Sequence, residues 1–285
     1  MLLSALISDI DRLRDEIDAL RPINALRLGR LEREMRLQWN YHSNRIEGST
    51  LTESETRSFL MSGITAKGKP LRDYLEMRGH DRAVKYLFDV VRPEVAITES
   101  LLKEFHRLIL VEPYRDEHAE FIPGEWKQSP NYLYNNDGER VDFAAPDEVP
   151  RLINELVNWL SNHLDPPKRK RKRYDLHPLL IATILHHRFV NIHPFSDGNG
   201  RVARLLTNLV FMRCGYVPMV VRYEDRSQYY EALDAGSPEN IEPLAEYFGT
   251  QLVASLELTL QIAQGKDLLD LYPLDEIERK LRDRL

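Results

Sequence analysis

Apolar residues in this chain recur every three or four positions and seldom every second one, a period that restricts the fold to packed helices. Leu3, Leu6, Ile10, Leu13, Ile17 and Leu20 form a heptad seam. It is too short for a lasting coiled coil, so packing on the body of the protein and packing on a second copy both stay open. Pro22 interrupts the seam, and a second helical stretch runs from about Leu26 to Ile46 and stops at Gly48. Thr52 and Glu55 have the spacing of a capping box that opens a third helix. Thr98 caps another, with Leu101, Leu102, Phe105, Leu108 and Ile109 on one face. Leu152, Leu156, Trp159 and Leu160 mark a later helix, and His177-Pro178 opens an apolar one that reaches Asn191. The expected class is all-α, a helical bundle.

Composition narrows the function only by exclusion. At 285 residues the chain can bury a substantial core, and 42% hydrophobic with 29% charged residues gives no sign of disorder. A net charge of -6 argues against a general nucleic-acid binder. The single cysteine, Cys214, excludes an intramolecular disulfide and is expected to be a buried thiol. Asp9, Asp11 and Arg12 break the apolar run that a signal peptide needs, and no stretch is apolar for long enough to span a bilayer; no membrane association and a cytoplasmic location are expected. Lys168 to Arg173 is one block of basic residues, read as a solvated loop, with an acidic target surface or nucleic acid as the sharper alternatives.

The chemistry is concentrated in residues 193 to 201, His-Pro-Phe-Ser-Asp-Gly-Asn-Gly-Arg, which precede a helical pattern. Gly198, Asn199 and Gly200 at a helix start turn backbone N–H groups toward an anion, and the helix dipole adds to the attraction. Gly198 and Gly200 lack a Cβ, so the chain can approach a pyrophosphate closely. Asn199 would order the loop or touch a phosphate, and Phe195 would plug the loop into the core. His193 titrates near neutral pH when unperturbed and can accept a proton. Asp197 is the only carboxylate in the run, and one carboxylate with phosphate oxygens is a common way to hold Mg²⁺. Arg201 and Arg204 share a helix face and suit a polyphosphate. A metal site of His186, His187 and His193 is the weaker reading, because adjacent helical residues point about 100° apart; His186 is expected to be a hydrogen-bonded core residue.

Residues His193 to Arg204 resemble the signature of Fic-domain proteins: His-Pro-Phe, a variable residue, Asp or Glu, Gly-Asn-Gly-Arg, and a second Arg three later. The resemblance implies a Fic-like bundle with a small β-hairpin flap and transfer of AMP from ATP to a Ser, Thr or Tyr hydroxyl of a target protein. In that reading His193 is the general base and Asp197 holds Mg²⁺. Gly198 to Gly200 form the anion hole, and Arg201 and Arg204 take the β and γ phosphates. Ser43-Asn44-Arg45-Ile46-Glu47-Gly48 is similar to the inhibitory motif of part of the family, which implies that Glu47 pairs with Arg204 and blocks the γ-phosphate. Gly124 to Leu133 is similar in position to the flap, with Pro130, Asn131, Tyr132 and Leu133 over the nucleotide. Tyr229, rather than Tyr230, is the residue implied to stack on adenine.

The implied division is an N-terminal helical region at 1–97 that carries the inhibitory helix at about 26–48, a catalytic core at 98–250 and a C-terminal helical extension at 251–285. The same residues leave two other functions open. One is removal of AMP from a modified target, with Glu47 orienting water; the other is a nucleotide-binding regulator or scaffold without transfer. A homodimer is also left open.

Overall fold

The computed structural model describes residues 2–110, 122–134, 138, 140–164, 176–237 and 240–266. The basic block Lys168 to Arg173 lies outside them. In chain order the described elements are α1 (Leu3–Ala19), α2 (Ala25–Ile46), α3 (Glu53–Ser62), α4 (Leu71–Val90), α5 (Glu99–Leu110), β1 (Tyr132–Tyr134), β2 (Arg140–Asp142), α6 (Val149–Leu164), α7 (Pro178–Ile192), α8 (Asn199–Arg213), α9 (Arg226–Asp234) and α10 (Glu242–Ala263). The class is all-α. The two strands form an antiparallel hairpin in which Tyr132 faces Asp142 and Leu133 faces Val141.

Local sequence explains the helix boundaries. Asn24 accepts hydrogen bonds from the N–H groups of Leu26 and Arg27 and so starts α2. Thr52 and Glu55 make the reciprocal capping box of α3. His177 caps α7 by accepting from the Leu179 N–H, with Pro178 in the first turn. Cys214 departs from expectation. It is only partly buried, because it is the C-cap of α8 and sits where the chain turns at Gly215.

Helices α7 and α8 form the centre, and α8 is buried along most of its length. Around them α1 packs on α10, α4 on α5, α2 on α4 and α6 on α7. The seam Leu6, Ile10, Leu13 and Ile17 is buried in the same core as Leu252 and Leu256 of α10, so the body of the protein covers it. That core joins residues from all three expected regions. The boundary expected at residue 250 falls inside α10, whose apolar face continues from Leu244 to Ile262; no break separates a C-terminal extension there. Among the described residues no helix is long and apolar enough to cross a membrane.

Candidate active site

The junction of α7 and α8 places the motif. His193 ends α7 with φ 50 and ψ 59, and it is the one non-glycine residue with positive φ among the described residues. A left-handed C-cap ordinarily goes to glycine, so an imidazole there is held against a conformational cost. Its Nδ1 lies 3.3 Å from the Val190 carbonyl, which fixes that nitrogen as the donor and leaves Nε2 as the basic lone pair. Phe143, directly after β2, stacks on the ring at 3.9 Å. Burial pushes the His193 pKa down to about 4, against the opposing effect of the Val190 hydrogen bond. The ring is therefore a neutral acceptor at neutral pH.

The loop after His193 is pinned from two sides. Asn199 closes it locally, accepting from the Phe195 N–H at 2.9 Å and donating to the Phe195 carbonyl at 2.8 Å. Asn131 also donates to that carbonyl, at 3.1 Å, so its side chain turns down into the loop. Lys127 donates its backbone N–H to Pro194 and its ammonium to Asn131 Oδ1 at 2.6 Å. Burial pulls its pKa down to about 8. Phe195 is fully buried and stacks on His106 at 3.8 Å. His106 in turn accepts from the Gly124 N–H at 2.8 Å and donates to the Asp197 carbonyl at 3.0 Å. It thus staples the stem of the hairpin segment to the motif loop.

Gly198 is the N-cap of α8 with φ 76, and no side chain caps the helix. Asp197 is half-exposed, and its Oδ1 accepts from the Gly198 N–H at 2.6 Å. Gly200 lies in the first turn, and a Cβ there would meet Glu47 Oε1 at 2.5 Å. The carboxylate of Glu47 thus fills the space beside the α8 N-terminus where an anion is attracted. Glu47 is the C-cap of α2, and its Oε1 lies 2.7 Å from Arg204 NH2. Arg204 is 3% exposed and also donates to Ser43 Oγ and to the Ser43 carbonyl, each at 3.0 Å. Burial works against its charge, and Glu47 together with Tyr229 and Tyr230 more than offsets that. Arg201 is buried, pairs with Glu76 of α4 and has NH2 at 3.7 Å from Asp197 Oδ1.

The structure therefore brings together His193, Asp197, Gly198, Asn199, Gly200, Arg201, Arg204, Ser43 and Glu47. Pro130, Asn131, Tyr132 and Leu133 flank them, with Tyr132 and Leu133 exposed on β1. Tyr229 is the correction. It is 1% exposed, packed against Tyr247 and Phe248, and its hydroxyl donates to His186 Nε2 at 2.8 Å. A ring covered in this way offers no face to a base, and Tyr230 beside it is only partly buried. His186 completes the relay by donating Nδ1–H to Thr207, whose hydroxyl donates to Ala203; it is a satisfied core histidine.

Sequence reasoning missed Glu76, His106 and Phe143. His106 carried one faint signal, a polar residue on the apolar face of α5 beside Phe105 and Ile109. Glu76 and Phe143 carried none.

Comparison with known proteins agrees with the motif. The sequence pattern of the Fic/DOC family matches residues 96–211. A Fic domain-containing signaling protein from Bacteroides thetaiotaomicron is 33% identical and superposes with a TM-score of 0.83, covering 91% of this chain and 98% of that one. Fic-1 from C. elegans is 28% identical with a TM-score of 0.75 over 92% of this chain and 74% of its own. Among curated proteins, protein adenylyltransferase Fic of Drosophila grimshawi is 32% identical over 88% of this chain and 48% of its own length. The chain spans about half the length of the curated relatives it matches.

Proposed function

The chain belongs to the Fic/DOC family, and on that premise we propose that it is an autoinhibited adenylyltransferase that moves AMP from ATP to a Ser, Thr or Tyr hydroxyl of a target protein. His193 Nε2 takes the hydroxyl proton as the oxygen attacks the α-phosphorus, and the bond from that phosphorus to the pyrophosphate breaks. Positioned general-base catalysis of this kind is worth about 10²- to 10⁴-fold. The N–H groups of the α8 first turn face the charge that builds on the phosphoryl oxygens. Arg201 and Arg204 hold the pyrophosphate side.

Mg²⁺ fits the donor set as a companion of the nucleotide. Asp197 is a single half-exposed carboxylate, and no cluster of three or more His, Cys, Asp or Glu able to hold a metal occurs among the described residues. One carboxylate plus phosphate oxygens is the usual arrangement. Bound there, Mg²⁺ would neutralise charge on the leaving pyrophosphate.

The observation that carries the inhibited state is the Glu47–Arg204 contact at 2.7 Å beside Gly200. A charge-assisted hydrogen bond contributes about 1.5–3 kcal/mol, so its loss corresponds to roughly 10- to 100-fold. With labelled ATP in a lysate, Glu47→Gly is expected to label itself or a target at least about 10-fold more than wild type. Adding His193→Ala to that variant is expected to abolish the label while ATP still binds. Equal labelling of Glu47→Gly and wild type would defeat the inhibitory role; undiminished labelling with His193→Ala would defeat the base.

Glu47 stands beside Gly200 in the first turn of α8, which favours one second reading, hydrolysis of an AMP-modified target by water that the Glu47 carboxylate orients. Release of free AMP from a modified protein by wild type, and not by Glu47→Gly, distinguishes it.

A further inference from the structure

Glu76 stands one helical turn after Arg72 on α4, and that face of α4 meets the start of α8. Its two oxygens are divided between two arginines. Oε2 pairs with NH1 of the buried Arg201, and Oε1 accepts from Arg72 Nε at 2.6 Å. Each guanidinium then presents its NH2 to a different oxygen of Asp197: Arg201 at 3.7 Å from Oδ1, and Arg72 at 3.7 Å from Oδ2. Arg72 is 49% exposed, whereas Glu76 is mostly buried and Arg201 is wholly so. An i, i+4 pair on a solvated helix face would account for Arg72 with Glu76 alone. It would not account for one carboxylate that also reaches a buried cation 125 positions away, nor for both NH2 groups converging on one aspartate.

We propose that Glu76 is a positioning residue for polyphosphate: it grips one side of Arg201 and of Arg72, so that the other side of each lines the Asp197 end of the phosphate site, with Arg72 as a third phosphate-binding cation. The inference rests on the nucleotide-transfer reading and concerns the β and γ phosphates. A guanidinium is a planar fork with five donors, so fixing one edge aims the other. The α-phosphate, at the α8 N-terminus, lies beyond what Glu76 controls.

The test is nucleotide affinity by calorimetry with Mg²⁺ in the Glu47→Gly protein, where ATP, ADP and AMP differ only in phosphate number. Adding Glu76→Gln is expected to weaken ATP and ADP by about 10-fold or more and to leave AMP within about twofold. Adding Arg72→Ala removes a half-exposed side chain and is expected to weaken ATP and ADP by about 3- to 10-fold with AMP unchanged. In transfer assays both changes are expected in the KM for ATP more than in kcat. ATP affinity unchanged by Arg72→Ala, or equal losses for AMP and ATP in Glu76→Gln, would overturn the proposal. If Glu47→Gly itself bound none of the three nucleotides, the nucleotide reading would fall first, which separates the two failures.

Discussion

At the scale of single residues, His193 shows how placement alters chemistry. The imidazole combines a left-handed backbone, a stacked Phe143 and a buried setting that brings its pKa down to about 4. A lowered pKa keeps the ring unprotonated until the solution is well below its ordinary range, so its ability to accept a proton is lost only as the pH falls toward that value. The kcat/KM of Glu47→Gly is therefore expected to have no acid limb at about 6.5 and to stay level down to about pH 5; removing Glu47, whose charge raises the pKa, moves the limb further in the same direction. A limb centred near the ordinary imidazole value would contradict the burial argument. His193, Asp197, Arg201 and Arg204 stand out as candidates in the sequence because one contiguous run contains them. The burial of Tyr229 is not legible in the sequence, because a tyrosine on a helix reads the same whether its ring faces a ligand or the aromatic pair Tyr247 and Phe248.

At the scale of elements, α2 and α4 bring Glu47 and Glu76 to the two arginines of α8, and two glycines separate the settings of these helices. Gly79 on α4 is pressed against the backbone carbonyls of Leu108 and Ile109 in α5, and an added methyl has no room. Gly79→Ala is expected to destabilise by about 1–3 kcal/mol, seen as a lower midpoint in urea. Gly29 in the second turn of α2 has no neighbouring atom within 4 Å of the place a methyl would take, so Gly29→Ala is expected to stabilise by about 0.5–1 kcal/mol through helix propensity. Opposite shifts of the two midpoints check the α4–α5 contact. The helices themselves were largely readable: the seam of α1, the capping box of α3 and the Pro178 start of α7 follow from local rules. Which helix covers the α1 seam was not readable, since an apolar seam reads the same in the chain whether α10 or a second copy covers it.

At the scale of the whole molecule, the buried histidines link stability to pH. Burial lowers His106 and His186 to about 3 and His193 to about 4, while an unfolded imidazole titrates near 6.5. Between those values the unfolded chain binds more protons, so stability is fully present above about pH 6.5 and is lost as the pH falls toward the folded values. Each such imidazole costs about 1.4 kcal/mol per pH unit in that window. Thermal midpoints are expected to be level from about pH 7 to 8 and to fall steadily from about pH 6.5 to 5; a midpoint that is flat across that interval would show the three rings to be accessible in the folded state.

The sequence alone determined the helical period, the caps and the set of candidate groups in residues 193 to 204, because periodicity, capping and motif spacing are properties of neighbours along the chain. Tertiary structure alone decided that Glu47 meets Arg204 across 157 positions, that Glu76 meets Arg201 across 125, and that His106 ties Gly124 to Asp197. Such pairs depend on how α2, α4 and α5 pack around α8, and a carboxylate on a helix looks the same in the chain whether it ends in water or against a buried guanidinium.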